Sequence, residues 1–460
     1  MKTTLLRLCL VFAWWPVWPA LGGAEYFLDP VAGKPAHAGT REAPWGSLEA
    51  VAASDRVFAA GDVLVLKNGH HGSPVLRQKN PGAVTIRPEA GARATVKNLT
   101  ISGGRWWVVE GVEISPETSP TPERVLLLRM NGSDNVIRRC VLYTVLDTSQ
   151  WSAADWNARA CDGISVSGTR QLVEDNHLAN VRFAISVSVG ALHNTVRGNL
   201  VDRFSGDGIR GMGDYGIYEG NVIKNLYQVN ANHPDGFQSW SQTGAGVGKG
   251  VVKGVVVRGN YFLSYDDPKR PFRGALQGIG CFDGFFEDWE VENNVVLTSA
   301  WHGIAFYGAR NCRIVNNTVA DLNPAGRAKP WIKITAHKDG RPSTGNLVRN
   351  NLSSHLSIDR GAAQVDHNLV AAESWTFFAG WAAHDLRLGA ASKAIDVGTS
   401  AGAPALDVLG HARFAPGNTA CDVGAYEFGG VANGSVLSAG LPWEPRLNVP
   451  LLPASAASVD

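Results

Sequence analysis

Residues 206–240 read GDGIRGMGDYGIYEGNVIKNLYQVNANHPDGFQSW, one full period of a repeat and the start of the next. Asp207-Gly208-Ile209 opens a short apolar segment. Ile217 to Ile223 forms a second one around Asn221, and Asp235-Gly236-Phe237 begins the cycle again. Working outward, the Asn slot recurs at Asn176, Asn199, Asn260, Asn294, Asn317 and Asn351, with Gly111 and Cys140 in the same position earlier. Asn176, Asn199 and Asn221 are 23 and 22 residues apart, and Asn294 and Asn317 are again 23 apart. The other separations, 34 to 39 residues, amount to one period plus an inserted loop. A second landmark, a Gly-Ile-type strand start, follows Asp162, Asp207, Asp235, Gln277 and His302, with variants after Phe183 and Pro330.

A 22–23 residue period of short apolar segments, without a long helical pattern, fits one turn of an all-β parallel solenoid. The leucine-rich alternative fails because its Leu-x-x-Leu-x-Leu skeleton is missing. The repeated Asn is expected to be buried and stacked turn on turn, each amide bonded to the next. These Asn residues read as structural.

Only 18% of residues are charged and the net charge is +1, so no basic field exists for nucleic acid. Fifteen Trp in a Gly-rich chain suit a surface that meets flat polar rings such as sugars. Residues 1–24 resemble a secretory signal: Lys2 and Arg7, an apolar run from Leu8 to Leu21, then small residues at Gly22, Gly23 and Ala24. Its removal takes the net charge from +1 to −1, and the mature protein is expected to be secreted or periplasmic, without a transmembrane segment, and a monomer. Cys140, Cys161, Cys281, Cys312 and Cys421 remain. Disulfides Cys140–Cys161 and Cys281–Cys312, or buried free thiols, are both open.

The expected divisions are an N-terminal cap (25–60), the solenoid (61–367), a closing segment (368–428) and a loosely ordered tail (429–460). A short capping helix is expected over Leu48–Ala53 with Ser47 as N-cap. Insertions at 116–123, 148–160, 242–253, 265–273 and 338–344 are expected to line one side.

The opening strand, turn and capping helix resemble the N-terminus of secreted parallel β-helix proteins that act on polysaccharides, such as pectate lyases, alginate lyases and mannuronan epimerases. The run Lys393-Ala-Ile-Asp-Val-Gly and then Cys421-Asp-Val-Gly-Ala-Tyr-Glu-Phe resembles the segment that closes many such bacterial proteins. The resemblance implies a single-stranded right-handed parallel β-helix, pectate lyase-like, acting on or binding carbohydrate. The Asp-Pro-His-Asp/Glu element of mannuronan epimerases is not present, and His233-Pro234-Asp235 only echoes it. The paired Asp-Asp and Gly-His-Gly signatures of polygalacturonases are also missing from the Gly-Ile strands. No catalytic residue is therefore carried over.

Strand alternation points Ile209, Phe237, Ile279, Ile304 and Ile332 inward. Arg210, Gln238, Trp240, Phe282, Tyr307 and Lys333 then fall on one outward stripe, suited to an extended acidic or neutral glycan. Asp207, Asp235, Gln277 and His302 form a column at the mouth of the same strands, with His233 beside Asp235. Each Asp before Gly also reads as a simple turn former. The functional reading is a polysaccharide lyase or C5-epimerase of uronate-containing glycans. Arg210, with Lys333 as a second cation or Ca²⁺ held by Asp207 and Asp235, would neutralise the carboxylate; His233 or His302 is the base and Tyr307 the acid. Gln238, Trp240, Phe282 and Lys333 would bind substrate. The alternatives are a glycoside hydrolase using Asp207 and Asp235, and a non-catalytic carbohydrate-binding surface protein.

Overall fold

The computed structural model describes residues 22–323, 329–371, 373–414 and 420–429. The expected signal, up to residue 21, and the expected tail, from residue 430, lie outside the described residues. One turn of the repeat is three short strands, such as Ile209–Gly211, Ile217–Glu219 and Val222–Leu226. Each pairs in parallel with its counterpart one turn back, Ile185–Val187, Thr195–Arg197 and Leu200–Phe204. Repetition builds a right-handed parallel β-helix with three sheets around one apolar core. The core row Ile164, Ile185, Ile209, Phe237, Ile279, Ile304 and Ile332 is in register throughout and buried. Each such side chain contributes about 1.5–3 kcal/mol by leaving water.

The corner between the second and third strands holds the expected ladder. Asn199 Oδ1 accepts from the Asn176 backbone N–H and from its Nδ2, both at 3.0 Å. The same pair of bonds joins Asn199 to Asn221, Asn221 to Asn260, Asn260 to Asn294, Asn294 to Asn317 and Asn317 to Asn351. The residue before each Asn sits at positive φ: Gly198 at 63°, Gly220 at 62°, Asn293 at 55°, Asn316 at 52° and Asn350 at 54°. Glycine reaches that region without strain and Asn is the side chain that best tolerates it. A second ladder, Asn135–Gln171–Asn194, was not foreseen.

The expected cap is present as Leu48–Ala52, with Ser47 Oγ accepting from the Ala50 N–H at 3.2 Å. Leu48, Val51 and Ala52 are buried at the open end of the core. The closing segment runs back along the flank of the solenoid. Phe377, Leu386, Val423 and Tyr426 cover the outward residues Tyr261, Leu263, Val295, Leu297 and Leu352 of the third sheet. The Asn residues at positive φ hold it: Asn293 Nδ2 donates to the Leu406 carbonyl and Asn350 Nδ2 to that of Thr399, each at 2.8 Å. Gly occupies this position in Gly198, Gly220 and Gly259, on turns the segment does not reach through such a bond.

Of the two alternatives left open for the cysteines, the structure has buried free thiols at all five, and neither disulfide forms. Cys140 fills the ladder slot, where its N–H donates to Asn176 Oδ1, and the Cys312 thiol donates to the Phe286 carbonyl. One expectation needs correction. The insertions occupy two sides rather than one. Loops around Trp151, Trp156, Tyr227 and Phe272 pack together on the side where the Gly-Ile strands begin. The hairpin Gln242–Thr243/Gly246–Val247 and the loop at Lys338, whose Nζ bonds Asp283 Oδ1, stand where those strands end. The Gly-Ile sheet thus forms a floor between two walls.

Candidate active site

The register places the stripe residues on neighbouring strands of this floor: Arg210 beside Gln238, Gln238 beside Gly280, Gly280 beside Ala305 and Ala305 beside Lys333. In the mouth column Asp235 pairs with Gln277 and His302 with Trp331. Adjacent strands lie about 4.8 Å apart, so these groups are close neighbours.

Asp207 is fully engaged. Its Oδ2 accepts from Arg210 Nε at 2.7 Å and its Oδ1 from the Asp235 backbone N–H at 3.0 Å. The Arg210 guanidinium also lies 3.4 Å from the Phe183 ring centre and 5.5 Å from that of Trp240. Arg210 is therefore anchored at one nitrogen and spread over two rings. Each Asp207 oxygen accepts one hydrogen bond, so a Ca²⁺ ion at Asp207 and Asp235 would share the Asp207 carboxylate with Arg210.

Asp235 differs. It is 0% exposed, and its Oδ2 accepts from Gln238 Nε2 at 2.9 Å. His233 Nδ1 stands 3.8 Å from the same oxygen on a largely exposed side chain. Oδ1 has no partner among the described residues. Burial, reinforced by the nearby Asp207 charge, pushes the Asp235 carboxyl up to about 7. The Asp235 carboxylate in turn raises the pKa of His233.

His302 lies one strand beyond Gln277's. Burial, with His233 and Lys333 nearby, lowers its pKa to about 4, so the imidazole is neutral at pH 7. Its Nε2 is 3.4 Å from the Tyr307 hydroxyl, and its Nδ1 is buried without a partner among the described residues. Burial raises the Tyr307 pKa and keeps the phenol protonated. Lys333 Nζ bonds Ser357 Oγ at 3.1 Å and lies 5.2 Å from the Trp331 ring centre. Among the described residues Lys333 forms no ion pair.

The structure thus brings together two clusters: Asp207, Arg210 and Trp240 on one side, and His302, Tyr307, Lys333 and Phe282 on the other. Asp235, Gln238 and His233 lie between them. Sequence reasoning did not single out Trp301 and Trp331. Trp331 shares the register of His302, and Trp301, 49% exposed, packs against it with ring centres 5.2 Å apart. In the sequence Trp331 holds the Gly position of the Pro330-Trp331-Ile332 start, and the register shift between His302 and Ile304 brings it beside His302.

No known protein family and no curated protein matches the chain. Among solved structures, pectate lyase Pel9A is similar over 88% of this chain and 96% of that one, with a TM-score of 0.52 and 16% identity. A rhamnogalacturonan lyase aligns over 75% of this chain and 87% of its own at TM-score 0.46 and 15% identity. A mannuronic acid specific family 6 lyase from human gut microbiota aligns over 73% and 82% at 0.43 and 14%. At such identities the pectate lyase establishes a shared fold, the pectate lyase-like β-helix.

Proposed function

We propose that the protein is a carbohydrate-active enzyme that removes the C5 proton of a uronate residue in an acidic glycan, as a lyase or as a C5-epimerase. The observation that carries this reading is the His302–Tyr307–Lys333 group: a neutral imidazole, a phenol 3.4 Å away, and a cation outside any ion pair among the described residues. A proton next to a carboxylate becomes removable once a cation neutralises that carboxylate and the charge that develops. Lys333 takes this role, with Arg210 as a second, anchored cation. His302 accepts the C5 proton. In elimination the C5–H electron pair becomes the C4–C5 double bond, the C4–O4 bond breaks, and O4 leaves with a proton from Tyr307. In epimerisation the same intermediate is reprotonated on its other face. His233 and Asp235 bind sugar hydroxyls, Gln238 adds an amide, and Trp240 offers a ring face. A fold shared with a pectate lyase is in keeping with this class.

One observation favours a second reading. Asp235, protonated up to about pH 7, has the state a general acid of a glycoside hydrolase needs. Its intended partner Asp207 is committed to Arg210, which weakens that pairing. A panel of acidic and neutral polysaccharides separates the cases. Unsaturated, ultraviolet-absorbing product supports elimination, and new reducing ends without it support hydrolysis. Binding without turnover supports a carbohydrate-binding surface protein.

A further inference from the structure

Phe282 breaks the regular register of the floor. Ser239 pairs with Cys281 and Trp240 with Asp283, so Phe282 is the extra residue of a bulge. Bulges next to active sites re-aim a side chain. The Phe282 ring is centred 4.9 Å from His302, 5.4 Å from Tyr307 and 6.4 Å from His233. Gly280 lies below it, and a side chain added there would collide with both the Phe282 ring and Asp235 Oδ1. The ring edge therefore sits beside that oxygen. Two atoms next to this ring, Asp235 Oδ1 and His302 Nδ1, are sealed from solvent without a hydrogen-bond partner among the described residues. A phenyl ring returns nothing for two unpaired polar atoms, and such atoms in a native fold call for an occupant.

We propose that the Phe282 ring is a displaceable roof over a hydroxyl-binding niche: a sugar ring takes its place, and sugar hydroxyls pair with Asp235 Oδ1 and His302 Nδ1. The ligand class rests on the function proposed above, whereas the roof acts on His302 with or without a glycan. The charged and titratable groups facing the niche are His233, Lys333 and Tyr307 around His302, and Asp207 and His233 around Asp235. None of them is altered by changing Phe282.

The test is the proton NMR titration of the His302 ring in the full chain. The expected wild-type midpoint is near 4, because burial lowers the His302 pKa to about 4. In Phe282→Ala, where water enters, its midpoint rises by about one unit or more toward the ordinary value of 6.5. Phe282→Leu, which keeps an apolar cover, gives a smaller rise, and an unchanged melting temperature in either variant shows that the fold holds. An unmoved midpoint in a folded Phe282→Ala protein overturns the roof. Binding of galacturonate and mannuronate trisaccharides tests the occupant. Removing a closed roof tightens binding roughly three- to tenfold, whereas weaker binding makes Phe282 a stacking platform and overturns the proposal. If neither trisaccharide binds wild type or variant, the uronate reading and the sugar occupant fall together, while the titration still decides the roof.

Discussion

Two stretches of one column, the same position in successive turns of the helix, have opposite electrostatic fates. On the earlier turns Asp162 is gripped by Arg182 through two bonds of 2.9 Å, and Asp207 by Arg210 at 2.7 Å. On the later turns Asp235, Gln277, His302 and Trp331 follow one another, and each carries a buried polar atom without a partner among the described residues. The repeat supplies the geometry in both stretches. What differs is whether a neighbour satisfies the side chain. The satisfied carboxylates have their partners within the fold, and the unsatisfied groups are where a substrate has something to gain.

The comparison breaks hardest at His302 and Lys333. His302→Ala and Lys333→Ala are each expected to lower kcat/KM by about 10²–10⁴-fold with little change in melting temperature. Steady-state kinetics on the substrate found by the polysaccharide panel reads this. Loss of less than tenfold in both would remove the later turns from the chemistry.

Asp235 sharpens it through pH. Its folded-state carboxyl is raised from 3.8 to about 7, so between these values the folded chain holds a proton that the unfolded chain has lost. Stability therefore falls as pH rises through that window, by an amount on the order of 4 kcal/mol at most. His302 acts in the opposite direction: its pKa is lowered from 6.5 to about 4, so stability is lost as pH falls through that interval. Chemical denaturation across this range should show Asp235→Asn losing the Asp235 contribution while keeping the His302 one. An unaltered pH dependence in Asp235→Asn would show that the carboxyl is already satisfied.

Asn221→Ala probes the satisfied framework. It removes a bond to the Val196 carbonyl and the acceptor for Asn199, at a cost of about 1–3 kcal/mol, without changing substrate preference. Denaturation midpoints and the polysaccharide panel test the two halves of that statement. The smallest effect is expected from Asp162→Asn, in a partly exposed ion pair: about 1 kcal/mol or less, with turnover unchanged. A collapse of activity there would erase the contrast between the two stretches.

The solenoid was legible because a polar residue recurring inside apolar segments has few explanations. Asn176, Asn199 and Asn221 fixed both the period and the corner. The outward stripe was legible because strand alternation follows once Ile209 and Phe237 are taken inward. Partners were harder, because they depend on side-chain reach across turns. The sequence placed Asp207 and Asp235 as equals, and Arg210, three residues after Asp207, separates them. The bulge at Phe282 follows from a mismatch between two strand lengths, which neither strand shows alone. The doubled Asn at Asn293-Asn294, Asn316-Asn317 and Asn350-Asn351 was a missed signal. Its first member anchors the closing segment, and Gly stands there in Gly198, Gly220 and Gly259.

Elimination and epimerisation share one event, loss of the C5 proton, and that event is the most direct test. Uronate polymers incubated with the protein in heavy water can be followed by the proton NMR signal at C5. The account predicts that wild type removes that signal, by elimination or by exchange with deuterium, and that His302→Ala does not. Polymers cut to new reducing ends with the C5 proton intact, or loss of the signal undiminished in His302→Ala, would contradict it.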